Sequence, residues 1–361
     1  MTTAIQIGLL LPLLMGGAGR DATEHVRIER LSDRALLAYW IGTGRCNLTA
    51  IQSQKGLAII DTEMSPRIMA PIKERIEREF GRRDWAYVIN THAHMHHAGG
   101  NCLFKDAVVV GHANLPDDMQ WLINRQTDPV RKRQTLDNAE RTLQTLQDNM
   151  RQFGGNRANA RMIRGETRFW RLFIQDMQEG HEIVKPTLTF ADRHTLDLGD
   201  VTLEMVFYGK GHSPSDIVIY IPQEKLLVTG AIAYQRDHLP EIGEQSQMED
   251  VQRFLAVLDE FIAPDVPIRR IIPSHSTPLQ KKDLVPIRAY YQRLLAGVRA
   301  AQREGLTLEQ ASQRLVQSRE FRTYLEPPPG HWLYRGHNRN LRNLWRICLD
   351  EAQQSTTQAK D

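Results

Sequence analysis

Apolar and polar positions fall into short runs over the first third of the chain, and turn residues bound the runs. Ala35-Leu36-Leu37-Ala38-Tyr39-Trp40, Asn47-Leu48-Thr49-Ala50-Ile51 and Leu57-Ala58-Ile59-Ile60 read as strands in a strand-like stretch from Val26 to Thr62. Ser53-Gln54-Lys55-Gly56 closes a hairpin between the last two. Ser65-Pro66 then opens a helix through Phe80, with Pro66 at its first position, where a missing N–H costs nothing. Ile68, Ile72, Ile76 and Phe80 recur every four residues on one face. Trp85–Ile89 and Val108–Val110 are further strands, so an antiparallel start leads into a β-α-β passage and the fold is mixed.

From about Leu115 to Gly180 the pattern changes to a charged helical one. Leu143, Leu146, Met150 and Phe153 mark one helix face; Phe169, Phe173 and Met177 mark another. Gly154-Gly155-Asn156 breaks the two. Strands return at Thr187–Phe190 and Val201–Phe207, with Gly199-Asp200 as a turn, and Ile217–Ile221 and Lys225–Gly230 form a hairpin across Pro222-Gln223-Glu224. A helix over Asp250–Phe261 precedes Ile268–Pro273, a strand that leads to Ser274-His275-Ser276. After Lys282 the chain is helical: Leu284, Ile287, Tyr291, Leu294 and Val298 form a stripe, Thr307 and Gln310 form a capping box, and a last helix spans Asn338–Ala352. The stripes predict that residues 283–353 pack on the core rather than stand apart.

Composition narrows the classes. The chain has 361 residues, 41% of them hydrophobic, which is enough for a sizeable core. A formal net charge of +3 is too small to imply a nucleic-acid partner. Cys46, Cys102 and Cys348 are widely spaced, with no CxxC, so neither a disulfide framework nor a thiolate zinc knuckle is expected. Ile5–Met15 is apolar and is followed by Gly16, Gly17 and Ala18, which reads as a signal peptide over residues 1–20 although no Lys or Arg precedes the run. With such a signal the protein is periplasmic or secreted; as an N-terminal strand or peripheral anchor instead, the run leaves it cytoplasmic. No stretch is long enough for a stable membrane span.

The chemistry is concentrated in Thr91-His92-Ala93-His94-Met95-His96-His97-Ala98-Gly99-Gly100-Asn101, directly after a strand. His212 and His275 also follow strands. Neutral imidazole is the commonest metal ligand near neutral pH. Residues two apart in extended chain point to one side, so His92 and His94 can share a metal while His96 or His97 turns to a second. Three nitrogens with an open position suit a catalytic zinc better than a structural one. His112 reads as part of a packed loop, and His181, His194, His331 and His337 as surface residues. Arginines outnumber acids between Arg125 and Arg171, as either a solvated helical face or a basic lid over an anionic substrate. Trp121, Trp170 and Phe173 read as core packing before an apolar wall of the site.

Ile59-Ile60-Asp61-Thr62, Thr91–Gly100, Gly211-His212-Ser213, Thr229-Gly230 and Pro273-Ser274-His275, in that order, resemble the metallo-β-lactamase superfamily. The resemblance implies an α+β fold, a four-layer αββα sandwich over about 25–280, with a helical insert at about 115–180 and a helical C-terminal extension. It implies that His92, His94 and His212 bind one zinc, that His97 and His275 bind a second, and that Asp61 is a buttress beside them. Two positions depart from the family pattern. His96 stands where HxHxDH has aspartate, and Ala231 stands where many members carry a bridging aspartate. His96 is then a second-site ligand, a non-ligating general base or steric plug, or the mark of a weakened member.

The expected function is zinc-dependent hydrolysis, with metal-bound hydroxide attacking a carbonyl-type or ester substrate and one or two zinc ions per chain. His96 and Asp61 are the catalytic candidates beyond the ligands. His238, Tyr208 and Ser213 are the substrate-binding candidates. The substrate is a small molecule, suited by the basic insert if anionic. The alternatives are alkyl sulfatase, lactonase or thioesterase chemistry, or a degenerate member that binds a ligand or partner without turnover. The C-terminal helices leave oligomerisation open.

Overall fold

A computed structural model describes residues 24–41, 46–233, 239, 241–318, 321 and 332–358. The N-terminal apolar run and His238 and His331 lie outside the described residues. Two sheets form the centre. The first has seven strands in the order β1-β2-β3-β4-β5-β6-β7: Val26–Arg30, Ala35–Trp40, Leu48–Ser53, Gly56–Ile60, Trp85–Ile89, Val108–His112 and Leu188–Phe190. β1 to β4 are antiparallel, and β4 to β7 run parallel. The second sheet has five strands in the order β12-β11-β10-β9-β8: Arg270–Pro273, Leu226–Gly230, Ile217–Ile221, Thr202–Phe207 and Arg193–Asp197.

Successive side chains in a strand point to opposite faces, and this alternation sorts the core into three layers. Leu37, Ala58 and Ile60 of the first sheet meet Leu203, Met205, Ile217, Ile219 and Ile272 of the second, between the sheets. Their neighbours Leu36, Ala38, Leu57 and Ile59 face outward onto Ile68, Met69, Ile72 and Ile76 of α1 (Pro66–Phe80). Val206, Val218, Tyr220 and Ile271 face the other way, onto α7 (Met248–Ile262) and α8 (Leu284–Arg303). Both faces of the central strands are buried, which is why β2, β3, β4, β10 and β11 read as continuous apolar runs. The result is the α+β, αββα arrangement expected from the sequence.

The insert consists of α3 (Leu115–Asp118), α4 (Gln120–Thr127), α5 (Pro129–Phe153) and α6 (Arg157–Glu179). Asn156 caps α6, accepting from Ala158 N and Asn159 N. Phe169, Phe173 and Met177 pack α6 onto the first outer layer, and Arg67 of α1 pairs with Asp176 at 2.6 Å. At the far end, α9 (Leu308–Gln317) starts with the expected Thr307–Gln310 capping box, and α10 (Trp332–Gln358) places Leu341, Leu344 and Ile347 in the layer with α7 and α8. No helix among the described residues is long and apolar enough to cross a membrane.

Candidate metal centre

The two sheets are stitched together at one edge, and the stitches surround the histidines. Asn47 N donates to Ser274 O at 2.8 Å, and Asn47 Nδ2 donates to Pro273 O and Ser276 O, each at 2.8 Å. Ile217 N donates to Thr91 O at 2.9 Å. This brings together the segments after β4, β5, β9 and β12, which carry Asp61, His92–His97, His212 and His275. The histidine segment bends after β5 and closes in α2, a single turn over Met95–Ala98. It lies directly on residues 62–64: Thr62 N donates to His97 O at 2.9 Å. A Cβ on Gly99 would stand 2.1 Å from Met64 O, and one on Gly100 would stand 2.1 Å from Thr62 O, so only glycine permits the approach. Asp61 and Glu63 hold left-handed backbone at φ 65° and 62°. Backbone of that kind in non-glycine residues is typical of functional sites.

Six imidazoles converge. His94 and His212 have ring centroids 4.4 Å apart, and His92 lies 4.8 Å from His94 and 5.1 Å from His212. His96 is 4.3 Å from His97 and 4.8 Å from His275. Donor atoms of His92, His94 and His212 all lie within 4.8 Å of one another, and so do those of His92, His96 and His97. The first triad is the set expected from the sequence. The second differs from expectation in bringing His92 to His96 and His97, with the His275 ring 5.3 Å from that of His97.

With Asp61 ionised, the hydrogen bonds around it assign the ring tautomers. Thr91 has one hydroxyl proton and gives it to Asp61 Oδ2 at 2.8 Å. The same hydroxyl oxygen lies 3.0 Å from His92 Nδ1, so it accepts there and Nδ1 carries the ring proton. His92 Nε2 is therefore bare, and it faces His94 Nδ1 at 3.1 Å. Two nitrogens on a tetrahedral zinc, each at about 2.0–2.1 Å, stand about 3.4 Å apart. On the other side, His97 Nδ1 lies 2.8 Å from Asp61 Oδ2 and donates to it when Asp61 is ionised. His97 Nε2 is left buried without a hydrogen-bond partner. One carboxylate thus orients two imidazoles, one directly and one through Thr91, as partners of metal ligands commonly do. Burial holds His92, His94, His96 and His97 well below the ordinary imidazole pKa, and the neighbouring rings add to the effect. Neutral rings with unshared pairs turned inward are the donor set that a divalent zinc requires, and these residues fit such an ion.

Other expectations are corrected. Tyr208 and Ser213, expected at the substrate, are buried at 1% and 6% exposure. Ser213 N and Oγ donate to Asp216 at 2.9 Å, and the Tyr208 hydroxyl bonds the same carboxyl. Both therefore shape the loop that carries His212. His337, expected at the surface, is fully buried, with Nδ1 2.8 Å from Tyr290 Oη. His112 is packed as expected, stacked on Phe207 at 3.8 Å. Trp121 packs against the first outer layer as expected and also meets the site. Its ring is half-buried and edge-on to His94 at 5.7 Å, with the Arg125 guanidinium over it at 4.6 Å. Trp170 and Phe173 pack in the core. Sequence reasoning missed Glu241, whose Oε2 lies 3.6 Å from His212 Nδ1; it belongs to no motif. It also missed Cys46, whose Sγ is 3.5 Å from His97 Nδ1.

The family model of the metallo-β-lactamase superfamily matches residues 41–275. The chain belongs to the metallo-β-lactamase superfamily. Among solved structures, the chain is similar to a metallo-β-lactamase family protein of Thermus thermophilus, at 17% identity and a TM-score of 0.53, over 87% of this chain and 94% of that one. It is also similar to a metallo-β-lactamase from Pontibacter korlensis, at 15% identity and a TM-score of 0.47, over 74% of this chain and 99% of that one. No curated protein matches the sequence. Superfamily membership and the histidine clusters support a metal-dependent, hydrolase-like fold.

Proposed function

We propose that the protein is a zinc-dependent hydrolase of small ester, thioester, lactone or lactam substrates, with preference for an anionic one. The convergence of His92, His94 and His212, whose donor atoms all lie within 4.8 Å of one another, carries this reading. His92, His94 and His212 would hold one ion, and His96, His97 and His275 a second. A bound zinc supplies Lewis acidity toward a substrate oxygen and makes water more acidic. The chain's own residues bind and orient. Asp61 fixes His97 and, through Thr91, His92. Trp121 supplies an apolar wall beside His94. Arg125, stacked on that wall, has no carboxylate partner among the described residues and offers its charge to a substrate anion. Because His96 and Ala231 replace carboxylates, the converging rings carry no negative charge of their own. That observation favours a second reading, a member that binds its ligand without turning it over.

The test is metal content of protein purified without chelator, together with hydrolysis of a panel that pairs anionic with neutral esters, thioesters, lactones and lactams. We expect one or two zinc ions per chain, turnover of at least one class, and an anionic preference that Arg125→Gln removes through KM. Metal without turnover of any member supports the second reading. Negligible metal together with no turnover overturns the hydrolase.

A further inference from the structure

The far side of His212 faces the C-terminal extension. Its Nδ1 is buried without a hydrogen bond, and the group in front of it is the Glu241 carboxylate, at 3.6 Å. The other oxygen of Glu241 is 2.5 Å from Arg339 Nη1 on α10. The residues that follow are gripped by the same helix. Ile242 N donates to Asn340 Oδ1 at 2.9 Å, and Asn343 Nδ2 donates to Ile242 O at 2.6 Å. Arg346 donates to Glu244 O at 3.0 Å and to Ser246 O at 2.8 Å. Positions 339, 340, 343 and 346 lie on one helix face by their spacing. Asn340 and Asn343 are buried, at 0% and 8% exposure. A buried amide is costly unless bonded; Asn340 Nδ2 also donates to Tyr291 Oη of α8 at 3.2 Å, so these amides spend their bonds on the loop and on α8 rather than on their own helix.

We infer that Glu241 is a positioning residue for the metal ligand His212, held in place by Arg339 of the C-terminal helix. A closer form of this placement stands at the other end of the site, where Asp61 lies 2.8 Å behind His97 Nδ1 and His97 Nε2 is left buried without a partner, against the 3.6 Å ion-pair distance from Glu241 to His212. A carboxylate behind an imidazole fixes the tautomer and raises the basicity of the opposite nitrogen. Glu241 also supplies negative charge next to a set of neutral donors that lacks the usual carboxylates. The extension is thereby part of the metal centre's support and not an appendage. The inference rests on the reading that the histidine cluster holds a metal.

The experiment compares the full chain with Glu241→Gln, Glu241→Asp and Arg339→Met. Zinc affinity is measured by competition with a chromophoric chelator, stoichiometry by metal analysis, and the site's geometry by the visible spectrum of the cobalt-substituted protein. Glu241→Gln is expected to keep the stoichiometry, to weaken zinc binding by about 10–100-fold and to shift the cobalt bands. Glu241→Asp should recover part of the loss, and Arg339→Met should give a smaller loss in the same direction. Thermal unfolding of the metal-free variants should match the parent, which separates positioning from general destabilisation. Unchanged affinity in both Glu241→Gln and Arg339→Met overturns the inference while leaving the metal site intact. Loss of one whole equivalent in Glu241→Gln also overturns it, because Glu241 is then itself a ligand. A parent chain that takes up no metal overturns both this inference and the proposed function.

Discussion

Asp61 ties together two of the site's imidazoles, His97 directly and His92 through Thr91. Its backbone is left-handed, its side chain is 1% exposed, and it accepts from Thr91 N, Thr91 Oγ1 and His97 Nδ1. Burial pushes its carboxyl up to about 7, against the lowering effect of the Thr91 hydrogen bonds. Removing the carboxylate leaves three buried donors without an acceptor, and each such loss costs about 1–3 kcal/mol when no water replaces it. It also frees His92 and His97 to turn. Asp61→Ala is therefore expected to lower zinc affinity by about 10–100-fold and to destabilise the metal-free protein as well. Chelator competition and urea unfolding report the two effects separately. An Asp61→Ala chain that keeps parental zinc affinity would show that the orienting role is wrong. The resemblance to the family's motif order pointed to Asp61, but its link to His92 through Thr91 was not legible, because that link needs the bend after β5.

At the scale of elements, legibility followed periodicity. The helices α1 and α7 and the break at Gly154-Gly155 fall where the stripes and glycines put them. β8 escaped, because Arg193–Asp197 is an edge strand with only Leu196 buried, and so it carries no apolar run. The polar content of α10 misled in the same way: His337 looks like a surface residue until α8 covers it. Tyr290 Oη of α8 lies 2.8 Å from its Nδ1, Phe321 packs at 5.2 Å, and Nε2 is buried without a partner. Burial lowers His337 from 6.5 to about 4. The folded state thus binds this proton less readily than the unfolded chain. Its contribution is fully present above pH 6.5 and is lost as pH falls from about 6.5 to about 4, to a total of roughly 3 kcal/mol. His337→Asn, which keeps a hydrogen-bonding group but does not titrate, should flatten the stability–pH curve over that window. The difference between the two curves, from chemical unfolding at each pH, isolates His337 from the buried histidines of the His92–His97 cluster. Parallel curves would exclude the effect.

Over the whole molecule, two kinds of information built the site. The histidines and Asp61 follow strands, so the motif order was enough to gather them; Trp121 and Glu241 arrive through the packing of α4 and α10, which no local pattern encodes. The same distinction bears on how metal and stability are linked. The three apolar layers run through both sheets and their helices, and most of their side chains lie away from the histidines. The centre itself opposes folding when empty, since it buries bare nitrogens such as His97 Nε2. The metal-free chain should therefore remain folded, with native far-ultraviolet circular dichroism, and zinc should raise its unfolding temperature. Binding to the folded state alone adds RT ln(1 + [zinc]/Kd), or about 2.7 kcal/mol at a hundredfold excess over Kd, which amounts to several degrees for a chain of this size. The rise should continue with zinc concentration rather than stop at one equivalent, and it should be smaller in His92→Ala, which removes a ligand of the first ion. Calorimetric scans over a zinc series measure it. A metal-free chain that is unfolded would mean that the histidine centre, and not the layered core, is what holds the two sheets together.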